Sequence, residues 1–503
     1  MEKEKNNNLI PRPPVVVVLG HVDHGKTALL DAIRETKIAE TEAGGITQSI
    51  GAYEIIHQGK KITFIDTPGH QAFKKMRSFG AKVADVAILV VAADEGPKEQ
   101  TLEAFEHIKE ANIPFLVAIN KIDRPQADVL KTKNELLKAG IYLEGFGGEI
   151  PYVEISATKK INLDQLLDLV LLLGELQELK ANPKNPAKGL VIESFLDPKR
   201  GNTATLIIKD GTLFQGEFIA TFSTLGKVKI LEDFLANKVE SLTFSSPARV
   251  VGFEELPLVG EEFFASFDLE KVKSFKKEKE TKKPITIFLE TPTKDSLIYR
   301  LILKAKSLGA LEALKEIVKS VQKEFYPKIV FEIIKEDLGV IGESDLKLAK
   351  TSKAVILAFD TKKDFEEELL DLYQPKIIES NIIYEIQKNL EKELEEILKK
   401  EKEKYLGEFE VLKVFSSQKK KKLVGGKVIS GEIKIGQEVE IFSKENQSQP
   451  QDTSTLTFLG KGKILNLRKI KEDIKMAKEG EEIGMLLETE IEVKEGYILK
   501  APK

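Results

Sequence analysis

The stretch VVVVLGHVDHGKT, from Val15 to Thr27, restricts the fold more than any other part of the chain. It joins a β-branched apolar run, Val15 to Leu19, to the pattern G-x-x-x-x-G-K-[ST] across Gly20 to Thr27. A continuous apolar run of this kind suits a strand buried on both faces of a parallel sheet. After Thr27, ALLDAIRET places apolar residues at helical spacing. In the order strand, glycine loop, helix, the backbone N–H groups of the loop and of the helix start point at phosphate oxygens. Gly20 and Gly25 permit that backbone, with His21, Val22, Asp23 and His24 between them. Lys26 is placed to reach the β- and γ-phosphates, and the Thr27 hydroxyl to ligate Mg²⁺. His21 and His24 are also open to reading as metal ligands, but their position within a phosphate loop argues against it.

Three further segments follow in order. KKITFIDTPGH ends a strand at Asp66, a candidate to hold Mg²⁺ through water, and continues through Thr67, Pro68, Gly69 and His70. Gly69 lets a backbone N–H approach the γ-phosphate. IPFLVAINKID ends a strand in Asn120, Lys121, Ile122 and Asp123, and IPYVEISA ends one in Ser156 and Ala157. VAILVVAADEG reads as one more buried strand, and GAYEIIHQGKKITFID as a hairpin turning near Gly59. Helical patterns between the later strands give the alternation of a doubly wound parallel sheet, whose ligands sit at the carboxyl ends of its strands.

An ionised Asp side chain only accepts hydrogen bonds. Guanine offers a ring N–H and an exocyclic amine side by side, and adenine does not. Asp123 therefore selects GTP, while Asn120 braces the loops and Lys121 lies over the base. AGGITQSIGA, Ala43 to Ala52, lies where a switch segment belongs. Its Thr47 is the candidate second hydroxyl on Mg²⁺, available while γ-phosphate holds the segment. His70 is the candidate that orients the attacking water. His57 and His107 have no such setting and read as surface residues.

With 503 residues the chain has room for about three or four domains. Basic residues number 77 against 81 acidic, so nucleic-acid binding must come from local patches. The absence of cysteine excludes disulfides, thiol catalysis and cysteine-ligated zinc, and favours an intracellular chain. MEKEKNNNLIPRPP lacks the apolar core of a signal peptide, and VVVVLG is too short to span a bilayer. These features imply a soluble, cytoplasmic protein with no membrane partner.

GHVDHGKT, DTPGH and NKID together resemble the translational GTPases. PRPPVVVVLGHVDHGKTALLDAIRET followed by EAGGITQSIGAYEI is similar, within that group, to the bacterial translation initiation factor 2 family. The resemblance runs through the remaining chain, more weakly toward its end. It implies GTP and Mg²⁺, and a monomer whose partners are both ribosomal subunits, initiator formylmethionyl-tRNA and other initiation factors. It also implies GTP hydrolysis triggered when the ribosome engages His70. The chain starts almost at the GTPase, so functions tied to the family's long N-terminal extension do not carry over.

The expected architecture is multidomain, α/β and β. A tail, residues 1–12, precedes a P-loop GTPase domain over 13–182, which ends where prolines and a glycine break a helix. Short β-type runs over 183–270 suit a β-barrel, and KVKSFKKEKETKK reads as a charged linker over 271–283. Residues 284–380 alternate strands and helices and resemble the family's α/β sandwich, with Glu343 and Asp345 as capping and surface groups. A long connecting helix spans 381–406. Its apolar seam of Ile383, Ile386, Leu390, Leu394 and Ile397 suits a connector or a coiled-coil partner. A second β-barrel occupies 407–503, where the resemblance implies binding of the tRNA acceptor end and its formylmethionine. There the chain has Ile483 and Gly426 where the family commonly has cysteine, and Ser443 near a usual arginine. Lys419 to Lys422 suit either phosphate contacts or a solvated loop. SKENQSQPQDTSTL reads as an exposed loop.

Other functions compete with a ribosome-activated GTPase. Elongation-type and selenocysteine-type delivery factors share the P-loop but lack GGITQSIGAY and the domain after 284. A tRNA- or ribosome-binding factor with altered formylmethionine specificity, or a module that no longer hydrolyses GTP, is opposed by intact Lys26, Thr27, Thr47, Asp66 and His70. A non-translational regulator is opposed by the second barrel.

Overall fold

The structure, a computed structural model, describes residues 9–34, 50–69, 71–275, 287–293, 296–417, 420–445, 455–470 and 472–502. Thr47, His70, Lys419, residues 276–283 of the charged stretch and most of the polar 443–456 stretch lie outside them. Two compact units make up the chain. One holds residues 1–285, 302–318 and 334–386; the other holds 286–301, 319–333 and 387–503.

The first unit opens on the buried run β1 (Val15–Gly20) and helix α1 (Lys26–Arg34). Strands β2 (Gly51–His57) and β3 (Lys60–Asp66) form an antiparallel hairpin. Gln58 and Gly59 at its tip both have positive φ, 50° and 75°, the geometry that matches strand twist in a two-residue turn. Then follow α2 (Lys74–Val83), β4 (Val86–Ala92), α3 (Glu99–Ala111), β5 (Phe115–Asn120), α4 (Val129–Lys138), β6 (Tyr152–Glu154) and α5 (Leu163–Leu176). The sheet order is β2-β3-β1-β4-β5-β6, and every pairing except the hairpin is parallel. Apolar side chains of β1, β4 and β5 fill its interior, among them Val16, Val18, Ile88, Val90, Leu116 and Ala118.

Six strands, Lys188–Asp197, Gly201–Asp210, Phe218–Thr221, Leu225–Glu232, Pro247–Phe253 and Glu262–Ser266, close into a barrel around Val191, Leu206, Ile219, Val228, Val250 and Phe263. Barrel and first sheet meet at a buried carboxylate. Asp85, just before β4, receives Arg12 at 2.6 and 2.8 Å, the barrel's Lys209 at 2.7 Å, and the Val15 N–H at 2.9 Å. These partners outweigh burial and hold its carboxyl below the ordinary range.

The charged stretch is not wholly a linker. Its first residues belong to a helix, Leu269–Phe275, started by Asp268, whose carboxylate accepts from the backbone of Glu270 and Lys271. Val272 is fully buried, and Phe275 stacks on Phe222 at 5.1 Å and meets Phe264 at 5.8 Å. Apolar groups spaced three apart give this lysine-rich segment one buried face.

Residues 287–380 form a five-stranded sheet in the order Ile287–Phe288, Ile329–Leu338, Leu297–Ala305, Val355–Phe359, Lys376–Ser380. Asp345 caps helix Glu343–Ser352 through the Gly342 N–H, but it is no surface group. It is buried between Lys304 and Lys335, each at 3.0 Å. Glu343 is exposed beside Lys347. The helix Ile383–Glu403 buries Ile383, Ile386, Leu390 and Leu394 completely and Ile397 partly.

The second unit ends in another barrel. Strands Tyr405–Ser417, Ile498–Pro502, Glu438–Glu445, Thr455–Lys469, Glu482–Glu488 and Lys421–Lys434 pair in that order, and the last pairs back with the first. Phe409, Val424, Ile441, Ile464 and Met485 lie in its core. Among the described residues no helix is long and apolar enough to cross a membrane.

Candidate functional site

The carboxyl ends of β1, β3 and β5 and the loop after β6 bring the predicted residues other than Thr47 and His70, which lie outside the described residues, to one edge of the first sheet. Gly20 has φ 145°, and a Cβ there would lie 2.4 Å from the Val90 carbonyl oxygen. Gly25 has φ 88°, and a Cβ there would lie 2.4 Å from Asn120 Nδ2. Both glycines are required by sterics as well as by backbone angle. Within the loop Asp23 takes the left-handed region, and the Val22 N–H donates to Gln100 Oε1 on α3 at 3.0 Å.

Lys26 is buried and donates through Nζ to the carbonyls of Gly20 at 3.0 Å and His21 at 2.7 Å. Burial lowers its pKa to about 8, against the raising influence of Asp66. Gly69 comes so near that a Cβ would sit 2.5 Å from Lys26 Nζ. Thr67 is buried and donates to the Val18 carbonyl at 3.1 Å, tying the end of β3 to β1. Thr27 and Asp66 line one cavity of about 220 Å³ with Asp31 and Tyr53. A hydroxyl and a carboxylate there, completed by phosphate oxygens and water, form a donor set suited to Mg²⁺. Among the described residues no cluster of three or more histidines and acids offers a metal site independent of phosphate.

His21 and His24 pack edge to face at 4.9 Å. His24 is fully buried with Nδ1 3.3 Å from the Val90 carbonyl, and burial, aided by His21, lowers its pKa to about 3. His24 is thus a neutral wall of the phosphate loop.

Asn120 spans three segments. Its Nδ2 donates to the His24 carbonyl at 2.9 Å, and its Oδ1 accepts from the Ala157 N–H at 3.1 Å. The Ile122 N–H donates to the Ile155 carbonyl at 3.3 Å. Asp123 accepts from Ser156 Oγ at 2.6 Å and from Thr158 Oγ1 at 3.3 Å. The Ser156 bond is the chief reason its carboxyl titrates below the ordinary range. Lys121, at φ 64°, points its ammonium toward Asp94 and Glu95 at 3.8 and 3.6 Å.

The sequence reading missed Arg77. This α2 side chain is fully buried beneath the Asp66–Gly69 segment and bonds to Glu103 on α3. His107 is not a surface residue. It is buried on α3 with its ring 3.4 Å from both Glu103 and Glu110. Burial alone would raise the Glu103 pKa, but His107 and Arg77 outweigh it and hold it at about 2. His57 is partly buried against Asp168 of α5 at 2.8 Å. An arginine set among the apolar positions of α2 was the available signal for Arg77.

Residues 12–174 match the family described as elongation factor Tu GTP binding domain, residues 186–266 elongation factor G domain 2, and residues 273–391 translation-initiation factor 2. The chain is 40% identical over 515 residues to a protein of Fusobacterium nucleatum named translation initiation factor IF-2, covering 99% of this chain and 68% of that one. A protein of the same name from Aquifex aeolicus is 40% identical over 501 residues, covering 97% of this chain and 60% of its own length. Among solved structures, GDP-bound aIF5B from Aeropyrum pernix aligns over 98% of this chain and 92% of its own, at 27% identity and a TM-score of 0.43.

Proposed function

The chain belongs to the translation initiation factor IF-2 family, and from that premise we propose that it is a GTPase switch that brings initiator formylmethionyl-tRNA to the small ribosomal subunit and promotes subunit joining. The observation that carries the nucleotide assignment is the single sheet edge at which Lys26, Asn120, Asp123 and Ser156 meet. Asp123, oriented by Ser156 and Thr158, accepts the two guanine N–H groups. Asn120 keeps the base-reading loops in register with the phosphate loop. Lys26 exchanges its loop carbonyls for phosphate oxygens, with the loop N–H groups around them. Mg²⁺, held by Thr27 and Thr47 and through water by Asp66, would neutralise charge on the phosphates. His70 orients water for attack on the γ-phosphate when the ribosome engages it, and phosphate loss frees the Thr47 segment.

The direct test is ribosome-stimulated turnover of wild type and His70→Ala. Wild type should hydrolyse GTP faster with ribosomes, and the variant should bind GTP normally yet show no stimulation. Normal stimulated turnover in the variant would remove His70 from the mechanism.

A second reading concerns the C-terminal barrel. Gly426 faces Ile483 across paired strands, and Ile483 is buried in the core. A Cβ at 426 would lie 1.9 Å from the Glu410 carbonyl oxygen, so no cysteine fits that backbone. This favours altered discrimination of formylmethionine. Equal affinity for formylated and unformylated initiator tRNA is its expected outcome, and a strong preference for the formylated form would reject it.

A further inference from the structure

Arg77 lies on α2, one helix beyond the Asp66–Gly69 segment, and no part of the reading above uses it. Its Nη1 donates to the carbonyls of Pro68 at 3.1 Å and Gly69 at 3.0 Å. Its Nη2 donates to both carboxylate oxygens of Glu103 at 3.0 Å each. The side chain has no solvent exposure, so its charge depends on Glu103 for compensation. A planar guanidinium can serve two carbonyls and a carboxylate at once; a lysine ammonium has no such fork.

The consequence follows from peptide geometry. The Pro68 carbonyl and the Gly69 N–H belong to one trans, planar unit, so they point in opposite directions. Fixing the carbonyl on Arg77 fixes the direction of the N–H. The Gly69 backbone lies against the phosphate loop: a Cβ there would be 2.5 Å from Lys26 Nζ and 3.2 Å from the Val22 nitrogen. That neighbourhood is where a third phosphate would be met, one phosphate beyond the groups that GDP shares with GTP.

We propose that Arg77 is a positioning residue that aims the Gly69 N–H at the terminal phosphate of GTP, with Glu103 on α3 as its anchor. The pair sets the preference for triphosphate over diphosphate. Freed from Arg77, the Pro68–Gly69 peptide rotates, and the N–H no longer meets the phosphate without paying for its own ordering. GDP, which lacks that phosphate, is unaffected. The inference rests on the GTP reading of this site.

The test uses the full chain with Mg²⁺. Affinities for GDP and for a non-hydrolysable GTP analogue are measured on wild type, Arg77→Lys and Glu103→Gln, with thermal unfolding as a check on folding. Each variant should bind GDP within about twofold of wild type and the analogue about tenfold more weakly, the loss of one charge-assisted hydrogen bond. A purely structural Arg77 would leave the ratio of the two affinities unchanged, and folded variants with that result overturn the proposal. Should Arg77→Lys fail to fold, the isosteric Glu103→Gln decides on the same ratio. A wild-type chain that binds neither guanine nucleotide would overturn the reading of the site itself, and this inference with it.

Discussion

The loop edge of the first sheet is built from short strands buried throughout and the C-terminal barrel from long strands that alternate buried and exposed residues, and the two assemble their residues by different rules. In the first sheet every strand except β2 ends at the same rim. Gly20, Asp66 and Asn120 therefore arrive together although they are far apart in the chain. In the antiparallel barrel, position depends on register. Gly426 meets Ile483 only because Lys421–Lys434 pairs with Glu482–Glu488 in one alignment, and a slip of one residue would turn every side chain to the other face. One architecture gathers chemistry from strand order, and the other from pairing that only the folded chain reveals.

The contrast can be attacked at its strongest point first. Asp123→Asn replaces one acceptor of the base-reading pair with a donor and should weaken guanine nucleotides by about 10⁴-fold while admitting xanthine nucleotides. Equilibrium titration with GDP and XDP reads both effects, and unchanged GDP affinity would break the assignment of this rim. On the barrel side, Ile483→Ala removes a core side chain that is 4% exposed and should cost about 2–5 kcal/mol in denaturant unfolding of the barrel. GDP affinity should not move; if it falls, the two regions are not the separate systems described.

How much of this was legible in the sequence divides along the same line. The phosphate loop, Asp66, Asn120, Asp123 and Ser156 could be placed because each ends an apolar strand in a wound sheet. Arg77 could not, because its partners are two carbonyls eight and nine residues back and a carboxylate on another helix. His107 was misjudged for the same reason: helix spacing shows a face but not what covers it. The spacing of Asp345 shows a cap, yet its burial depends on lysines from two strands of the sheet. In 271–275 the lysines dominated the reading, although Val272 and Phe275 already had helical spacing.

Two smaller effects sharpen the description of the rim. Asn120→Ala cuts two hydrogen bonds that join the phosphate loop to the base loops, and should weaken GDP and GTP alike by roughly 10–100-fold. Titration showing selective loss of GTP would instead make Asn120 part of the third-phosphate machinery. The pH dependence should follow Lys26. Its pKa without nucleotide is lowered by burial to about 8, and bound phosphate raises it, so binding takes up a proton above that value. Affinity should be level below about pH 8 and fall by up to about tenfold per unit above it. A flat profile from pH 7 to 9.5 would show that Lys26 keeps its proton in the nucleotide-free loop. The smallest effect belongs to the barrel surface. Ile470 is 93% exposed at φ 57°, a backbone that strains a β-branched side chain, so Ile470→Ser should leave the unfolding free energy unchanged or raise it by less than about 1 kcal/mol.

Asp85 has a consequence of a mechanical kind. It sits at the rim opposite the nucleotide loops, where Arg12 from the incoming chain and Lys209 from the first barrel close on the same carboxylate. Sliding the barrel away would leave Arg12 and the Val15 N–H on that carboxylate but part Lys209 from its partner, so the joint resists separation. Barrel and wound sheet are thus latched at the rim far from the nucleotide, and Lys209 is the barrel's half of the latch.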